Sequence, residues 1–240
     1  MYQDGEYLEK NPTWHEQDSP FKARWIASLL ERRGIRPATV AEAGCGAGGI
    51  LRNLAETWPE AILEGFDISP QVVELASSRP HPRVRVVLGD CLETGRSWNL
   101  LLAIDVLEHM ENPALWLRSS RDCASWLAVH LPLDLSVQTV LRGTPLPRRR
   151  RDLGHIHMFT RDTARALVEE NGWEILEERY TSGALELPVE KGIANQFKNR
   201  ILRLPRRILF AIAPHLAVRL LGGWSVMFLC APKQGWAPNR

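Results

Sequence analysis

One glycine-rich run constrains the fold of this chain more than any other feature. Residues 40–49 read VAEAGCGAGG, in which an apolar stretch meets a turn and an amphipathic segment follows. Glycine adopts positive φ without steric cost and lets the backbone approach a ligand closely. The run therefore predicts a strand, a tight turn and a helix whose N-terminus faces a cofactor.

Strands and helices are predicted to alternate on both sides of this turn. We predict strands at residues 38–43, 61–66, 83–88, 98–104, 126–131, 173–180 and 224–231. The predicted helices are residues 19–33, 48–58, 70–78, 112–122 and 161–171. Such alternation is typical of right-handed βαβ units around a parallel sheet. The last two strands are expected to pair antiparallel at one edge of that sheet.

Two segments do not follow the alternation. Residues 133–158 form a long connection with the cluster PLPRRRR at 145–151, and we expect a functional or mobile loop there. Residues 187–223 are apolar and basic and are interrupted by Pro205 and Pro214, which predicts two or three short helices.

The charge of the chain is unevenly distributed. The net charge is only +2, yet no acidic residue follows Glu190, and nine Lys or Arg residues lie beyond it. The first 190 residues therefore carry 21 cations against 28 acids, a net charge of −7. This asymmetry indicates an anionic partner for the C-terminal part, such as a membrane surface, a phosphate-bearing substrate or nucleic acid.

The sequence favours a cytoplasmic protein. Its first ten residues lack the basic and apolar regions of a signal peptide, and no apolar run reaches the about 18 residues of a membrane span. The four cysteines form no CxxC pair, which indicates reduced thiols and no zinc site; they are Cys45, Cys91, Cys123 and Cys230.

Acidic residues follow three successive predicted strands, where open α/β sheets bind their ligands. Asp67 ends strand two, where it can accept hydrogen bonds from both hydroxyls of a ribose, although it could instead cap the next helix. Asp90 follows strand three and can accept from an adenine amino group. Asp105 follows strand four. The glycines also satisfy G-x-G-x-x-G, so the turn alone does not exclude a nicotinamide cofactor.

Together these motifs resemble those of class I S-adenosylmethionine-dependent methyltransferases over residues 38–231. The motifs are EAGCGAG at 42–48, GFDIS at 65–69, GD at 89–90 and DVLEHMENP at 105–113. The stretch GHIHMFT at 154–160 and the antiparallel last strand are similar to the small-molecule branch, of the methyltransferase type 11 and 23 kind. The resemblance implies an α/β, Rossmann-like sheet of seven strands, with order 3-2-1-4-5-7-6, strand 7 antiparallel and helices on both faces.

The resemblance also implies the cofactor and its contacts. Glu42, Gly44 and Gly46 would hold the methionine part of S-adenosylmethionine, Asp67 the ribose, and Asp90 with Cys91 or Leu92 the adenine. The full set implied is Glu42, Gly44, Cys45, Gly46, Gly48, Asp67, Ile68, Asp90, Cys91, Leu92 and Asp105. The Asn-Pro-Pro-Tyr motif of many nucleic-acid methyltransferases does not occur after strand four, so a nucleic-acid substrate is disfavoured.

Three histidines are candidates for catalysis, because a neutral imidazole can take a proton near pH 7. His109 follows strand four and is the first choice as base or as the group that positions the acceptor. His155 and His157 lie on a segment expected to fold over the acceptor pocket. Each could instead be a hydrogen-bonded structural histidine. A metal site on the His155 and His157 pair is disfavoured, because no further ligand follows at regular spacing.

The sequence predicts three regions in this chain. Residues 1–36 would form an N-terminal arm and lid helix, with Tyr7, Trp14 and His15 in the lid. Residues 37–186 and 224–232 would form the methyltransferase domain, and 187–223 a basic helical insertion that caps the pocket or lies on a membrane.

We predict methylation of a small or lipid-like acceptor, at oxygen, with peripheral contact to an anionic membrane left open. The alternatives are an RNA methyltransferase that uses the basic C-terminal segment and a cofactor-binding protein without catalysis. An NAD-dependent dehydrogenase explains neither Asp90 nor the segment from Asp105 to His109.

Overall fold

The computed structural model describes residues 16–182 and 205–237. The strands are β1 (Thr39–Ala43), β2 (Ile62–Asp67), β3 (Val84–Leu88), β4 (Trp98–Ile104), β5 (Ala124–Pro132), β6 (Trp173–Thr181) and β7 (Ser225–Pro232). The helices are α1 (Ser19–Arg32), α2 (Gly49–Thr57), α3 (Pro70–Ser77), α4 (Pro113–Ser120), α5 (Val137–Arg142), α6 (Pro145–Leu153), α7 (Arg161–Glu170), α8 (205–212 in its described part) and α9 (Pro214–Leu221).

The strands form one seven-stranded sheet with the order β3-β2-β1-β4-β5-β7-β6. Strands β1 to β5 pair in parallel, whereas β7 lies antiparallel to both β5 and β6. The predicted fold class is therefore confirmed, including the direction of the last strand.

Burial on both faces explains why the central strands are apolar throughout. Leu100, Leu101 and Leu102 of β4 are all fully buried, because helices cover the sheet on both sides. On one face α1 and α2 pack with residues such as Ile26 and Leu54. On the other face the core contains residues of α4, α7, α9 and β7.

Residues 133–158 differ from the loop that the sequence indicated, because they contain the helices α5 and α6. Helix α5 begins with a capping box in which Ser136 Oγ accepts from the N–H of Thr139 and Thr139 Oγ1 accepts from the N–H of Ser136. Pro145 stands at the start of α6, where its fixed φ favours a helix, and Gly154 ends it at φ +78°. The arginine cluster is therefore helical rather than part of a mobile loop.

Parts of all three predicted regions lie outside the described residues. They are residues 1–15 of the arm, which include Tyr7, Trp14 and His15, residues 183–186 of the methyltransferase domain, and residues 187–204 of the basic insertion. The described part of the insertion is helical in α8 and α9, as predicted. Among the described helices, none has the length and hydropathy to cross a membrane.

Candidate active site

A cavity of about 870 Å³ lies at the carboxyl ends of the parallel strands. The turn after β1, the ends of β2 and β4, and the segments after β3 and β4 line it, and the start of α1 and His155 close it from the side. This is the position at which parallel α/β sheets bind ligands. The cavity therefore brings together residues that are far apart in the sequence.

The glycine turn after β1 forms the floor at one end. Gly44 has φ +64°, and a Cβ atom built there would lie 2.6 Å from Cγ2 of Val106. The backbone N–H of Gly46 donates to Oδ2 of Asp67 over 2.9 Å. The turn is therefore fixed against β2, and only glycine at position 44 permits the close approach of the segment after β4.

Asp67 stands at the junction of the turn, the next helix and the cavity. Besides the Gly46 contact, its Oδ1 accepts from the N–H of Ser69 over 2.9 Å. Burial raises the pKa of Asp67, while these backbone N–H groups oppose the rise. A carboxylate has about four acceptor positions, so these two bonds leave capacity for hydroxyl donors of a ligand. Asp67 lines the cavity, and its ribose contact stays a prediction.

Glu42 at the end of β1 is the strongest sign of a cationic ligand at this end. Its side chain is buried, and Oε2 has no hydrogen-bond partner in residues 16–182 and 205–237. Burial raises the pKa of Glu42 well above its usual value. A buried carboxylate without partners is unfavourable unless a bound group supplies a donor or a positive charge. An ammonium group in the cavity beside Glu42 would supply both.

The segment after β3 contributes Asp90 and Leu92 to the cavity wall. Oδ1 of Asp90 accepts from the N–H of Leu92 over 2.9 Å, which caps the short 3₁₀ helix Cys91–Thr94. Cys91 itself points into the core and is fully buried. Cys45 lines the cavity, as does the exposed Ile68.

Gly48, like Cys91, is a predicted cofactor contact that does not line the cavity. The neighbouring residues Ala47 and Gly49 do line it. Most of the predicted cofactor set therefore shares one cavity, and only Cys91 and Gly48 lie behind its surface.

Asp105 reaches the cavity but is held by protein side chains that the sequence did not point to. Nδ1 of His130 donates to its Oδ1 over 2.5 Å, and Nζ of Lys22 lies 2.7 Å from its Oδ2. His130 Nε2 lies 2.7 Å from Oγ1 of Thr181, which extends the network to β6. Burial alone would raise the pKa of Asp105, but His130 and Lys22 hold it well below its usual range. Asp105 therefore joins α1 to β5 as well as lining the cavity.

His109 and His155 meet at the other end of the cavity. Their rings pack edge to face with centroids 4.9 Å apart, and both line the cavity. His109 Nδ1 donates to the carbonyl of Gly154 over 3.1 Å, and His155 Nδ1 donates to Oδ2 of Asp134 over 2.6 Å. His157 is turned away: its Nε2 donates to the carbonyl of Met110 over 2.9 Å, and it does not line the cavity.

Glu108 lines the same end of the cavity, although the sequence predicts no role for it beyond its place in the motif DVLEHMENP. Its side chain is fully buried, neither carboxylate oxygen has a hydrogen-bond partner within the described part of the chain, and Oε1 lies 3.9 Å from His109 Nε2. Burial raises the pKa of Glu108 well above its usual value, with Asp105 adding to the rise, and burial lowers the pKa of His109 to about 4.

The Glu108 backbone also fixes the histidine segment in place. Its carbonyl accepts from the N–H groups of Ile156 and His157 at 2.9 and 3.1 Å. Asp134, which orients His155, was not a sequence candidate either. Its position 21 residues before His155 gives no periodic signal.

The fold and the cavity define a class of protein, and comparison with known sequences agrees. The methyltransferase domain family matches this chain over residues 14–178. The chain therefore belongs to the class I S-adenosylmethionine-dependent methyltransferases.

The chain is also similar to individual proteins of known activity. The trans-aconitate 2-methyltransferase of Mycobacterium marinum is 30% identical over 149 residues, which cover 55% of this chain and 54% of that protein. The enzyme of the same name from Rhodococcus jostii is 31% identical over 137 residues, or 50% of each chain. The chain spans about half the length of the curated relatives it matches.

A solved structure shares the whole architecture. The magnesium protoporphyrin IX methyltransferase of Synechocystis PCC 6803, with bound S-adenosylhomocysteine, gives a TM-score of 0.58 at 16% identity. The match covers 94% of this chain and 86% of that one. At this identity the similarity shows a common fold.

S-adenosylmethionine is the cofactor of this class, and the residues present fit it. The ligand's ammonium group matches the unpartnered buried oxygen of Glu42. A side chain at Gly44 would clash with Val106, so the backbone itself lines the cavity where the methionine part would lie. Asp67 and Asp90 offer acceptor oxygens in the same cavity.

Proposed function

We propose that this protein transfers the methyl group of S-adenosylmethionine to an oxygen atom of a small-molecule acceptor. One observation carries the proposal: a single cavity joins the glycine turn and its acids to a second end formed by Glu108, His109 and His155. The first end suits the cofactor and the second suits an acceptor that must be held and deprotonated.

Each cofactor contact has a candidate residue. Glu42 would bind the ammonium group, Asp67 the ribose hydroxyls, and Asp90 with Leu92 the adenine. When bound, the cofactor supplies an already activated methyl group on a sulfonium. The remaining task of the protein is to align the acceptor oxygen and to exclude water.

His109 is suited to contact the acceptor oxygen. Its pKa of about 4 keeps the ring neutral near pH 7. Because Nδ1 donates to the carbonyl of Gly154, the ring proton is on that nitrogen, and Nε2 is the acceptor. A neutral Nε2 can accept a hydrogen bond, or the proton, from an acceptor hydroxyl.

The charge of the cavity argues for an acceptor that is not polyanionic. The described lining contains no arginine, and its one lysine, Lys22, is paired with Asp105. The carboxylate of Glu111 lies at the same end, beside the buried carboxyl group of Glu108. Like charges would disfavour a tricarboxylate such as trans-aconitate, the acceptor named for the relatives, and would equally disfavour RNA. We therefore favour a neutral hydroxyl compound.

Transfer of a labelled methyl group tests this proposal. The protein would be incubated with methyl-labelled S-adenosylmethionine and either trans-aconitate or a panel of neutral phenols and alcohols, and labelled product would be counted. We expect label in the neutral panel and little in trans-aconitate. His109→Ala should lower turnover and leave cofactor affinity near wild type. Preferential labelling of trans-aconitate would contradict the acceptor class, and cofactor binding without any labelling would favour the non-catalytic alternative.

We further propose that the surface formed by α5, α8 and α9, named here the helical face, contacts an anionic membrane. Helices α5 and α9 pack together, and Arg206 of α8 donates to Gln138 of α5 over 2.7 Å. The apolar side chains exposed on this face are Val137, Val140, Leu141, Ile208, Ile212, Leu216 and Leu220. In each helix they recur three or four residues apart, so each helix presents one apolar stripe.

The charges beside these stripes are complementary to anionic lipid. Arg142 and Arg207 are exposed on the same helices, and no acidic residue follows Glu190. A basic amphipathic surface of this kind lies on membranes rather than through them. The alternative role as a cap has less support, because no residue of 205–223 lines the cavity.

Vesicle sedimentation tests the helical face. Leu141 is 82% exposed and Ile212 is 78% exposed. We expect the double variant Leu141→Glu with Ile212→Glu to bind phosphatidylglycerol vesicles at least about tenfold more weakly than the wild type. The variant removes apolar area that the membrane would bury, and its added negative charges are repelled by anionic lipid. Ile62→Glu is the matched control, since Ile62 is 57% exposed on β2. Equal binding by both variants, or no binding by the wild type, would rule the proposal out.

A further inference from the structure

We propose that Glu108, His109 and His155 form a binding site for one divalent metal ion at the acceptor end of the cavity. The arrangement of these three side chains supports the site, and only the role given to the ion rests on the proposed methyl transfer. The ligand atoms would be one carboxylate oxygen of Glu108 and the Nε2 atoms of the two histidines.

The distances between these atoms suit a common ion. One potential ligand atom from each of the three residues lies within 4.8 Å of the others. Two ligands bound at about 2.1 Å to a tetrahedral ion lie about 3.4 Å apart. From separations within 4.8 Å, the side chains need to draw together by at most about 1.4 Å when an ion enters.

The hydrogen bonds behind the two rings have the pattern of metal-binding histidines. Such histidines donate their second ring N–H to a carboxylate or a backbone carbonyl, which fixes the tautomer and aims the other nitrogen at the ion. His155 Nδ1 donates to Asp134 Oδ2 over 2.6 Å, and His109 Nδ1 donates to the carbonyl of Gly154 over 3.1 Å. Both rings are therefore oriented before any ion binds.

The outer carboxylate is itself held firmly. Asp134 is buried, and its other oxygen accepts a charged hydrogen bond from Nη1 of Arg149 in α6. The backbone carbonyl of Asp134 accepts from Thr139 Oγ1 over 2.8 Å. This support gives a reason for Arg149, a member of the arginine cluster, to face inward while Arg148 and Arg151 are exposed.

Glu108 supplies the independent sign that a ligand is expected here. It is fully buried, it lines the cavity, and neither of its oxygens has a hydrogen-bond partner among the described residues. A buried carboxylate in this state is costly, and coordination of a cation removes that cost.

The donor set indicates the kind of ion. Two imidazoles and one carboxylate suit Zn²⁺, Fe²⁺, Co²⁺ or Mn²⁺, whereas Mg²⁺ and Ca²⁺ prefer oxygen ligands. Three protein ligands leave coordination positions open toward the cavity. If the proposed function holds, those positions take the acceptor oxygen, and His109 then acts as a ligand rather than as the proton acceptor.

Cobalt titration of the metal-stripped full-length protein tests the site. Co²⁺ would be added and followed by its visible absorption, with Mg²⁺ as the counter-probe. We expect one equivalent of Co²⁺ to bind and Mg²⁺ not to compete. Glu108→Gln and His155→Ala should each weaken Co²⁺ binding at least about 100-fold, and Asp134→Asn should weaken it less, by about tenfold. His157→Ala is the matched histidine control and should bind Co²⁺ as the wild type does.

The outcomes separate this site from the proposed function. Failure of the wild type to bind Co²⁺, or unchanged affinity in folded Glu108→Gln and His155→Ala, would overturn the metal site even if labelled methyl is transferred. Thermal unfolding of each variant would establish that it is folded. Loss of Co²⁺ binding in those variants would support the site whether or not methyl transfer is observed.

Discussion

Replacing Asp105 with alanine is expected to lower the free energy of unfolding by about 3 kcal/mol. The carboxylate is shared by His130 and Lys22, whose side chains are only 5% and 13% exposed. Removing it would leave a buried imidazole and a nearly buried ammonium without their acceptor. The value lies at the lower end for a broken buried pair, because Asp105 itself is 30% exposed at the cavity. Urea denaturation of the variant and the wild type measures the difference.

Two further variants serve as controls for the stability loss expected in Asp105→Ala. Asp105 has φ +52°, which asparagine tolerates well, so Asp105→Asn keeps the backbone and one acceptor oxygen and should be less destabilising than Asp105→Ala. Asp122→Ala removes an exposed carboxylate and should change the stability by less than about 0.5 kcal/mol. Wild-type stability in Asp105→Ala would show that the network does not hold α1 to the sheet.

The same network predicts how stability depends on pH. The folded-state pKa of Asp105 lies below its unfolded-state value of about 3.9, so its contribution is fully present above that pH. As the pH falls below about 4, the unfolded chain takes up the proton first and the contribution is lost. The stability difference between the wild type and Asp105→Ala should therefore shrink at acid pH. A difference that grows on acidification would contradict the assignment.

Replacing Asp67 with alanine is expected to weaken binding of S-adenosylhomocysteine by about 10- to 100-fold. Hydrogen bonds to a charged carboxylate contribute about 1.5–3 kcal/mol, and 1.4 kcal/mol corresponds to a factor of ten. The variant also frees the N–H groups of Gly46 and Ser69, which Asp67 now accepts at 2.9 Å each. The glycine turn would then lose its anchor to β2. Isothermal titration calorimetry of both proteins gives the ratio of affinities.

A matched pair separates the ribose contact from the anchoring of the turn. Asp67→Asn retains one oxygen acceptor for a backbone N–H but has no charge, so its affinity should fall between those of the wild type and Asp67→Ala. The melting temperature of each variant reports any loss of folding. Wild-type affinity in a folded Asp67→Ala would remove Asp67 from the cofactor site.

The fold could be predicted from the sequence because its signals are local. The run from Val40 to Gly49, the alternating apolar segments and the acids after β2, β3 and β4 lie within single βα units, whose successive elements usually pack beside one another. For the same reason the sequence predicts that Glu42, Asp67 and Asp90 lie at one edge of the sheet.

The rest of the site depends on contacts between distant segments. Lys22, His130 and Asp105 come from α1, β5 and the end of β4, and no sequence spacing links them. Asp134 and Glu108 become prominent only because α5 and α6 fold the histidine segment back onto the turn after β4. The sequence does not predict α5 and α6, because the helix start at Ser136 lies inside a segment rich in Pro and Arg that is typical of a loop.

Titration of the full-length protein with S-adenosylhomocysteine by calorimetry, with NADH as the control, tests the central claim most directly. The cavity formed by the glycine turn, Glu42, Asp67 and Asp90 predicts micromolar binding of S-adenosylhomocysteine and no binding of NADH. Absence of S-adenosylhomocysteine binding to a folded sample, or equal binding of NADH, would contradict the assignment of this cavity as a methyl-donor site.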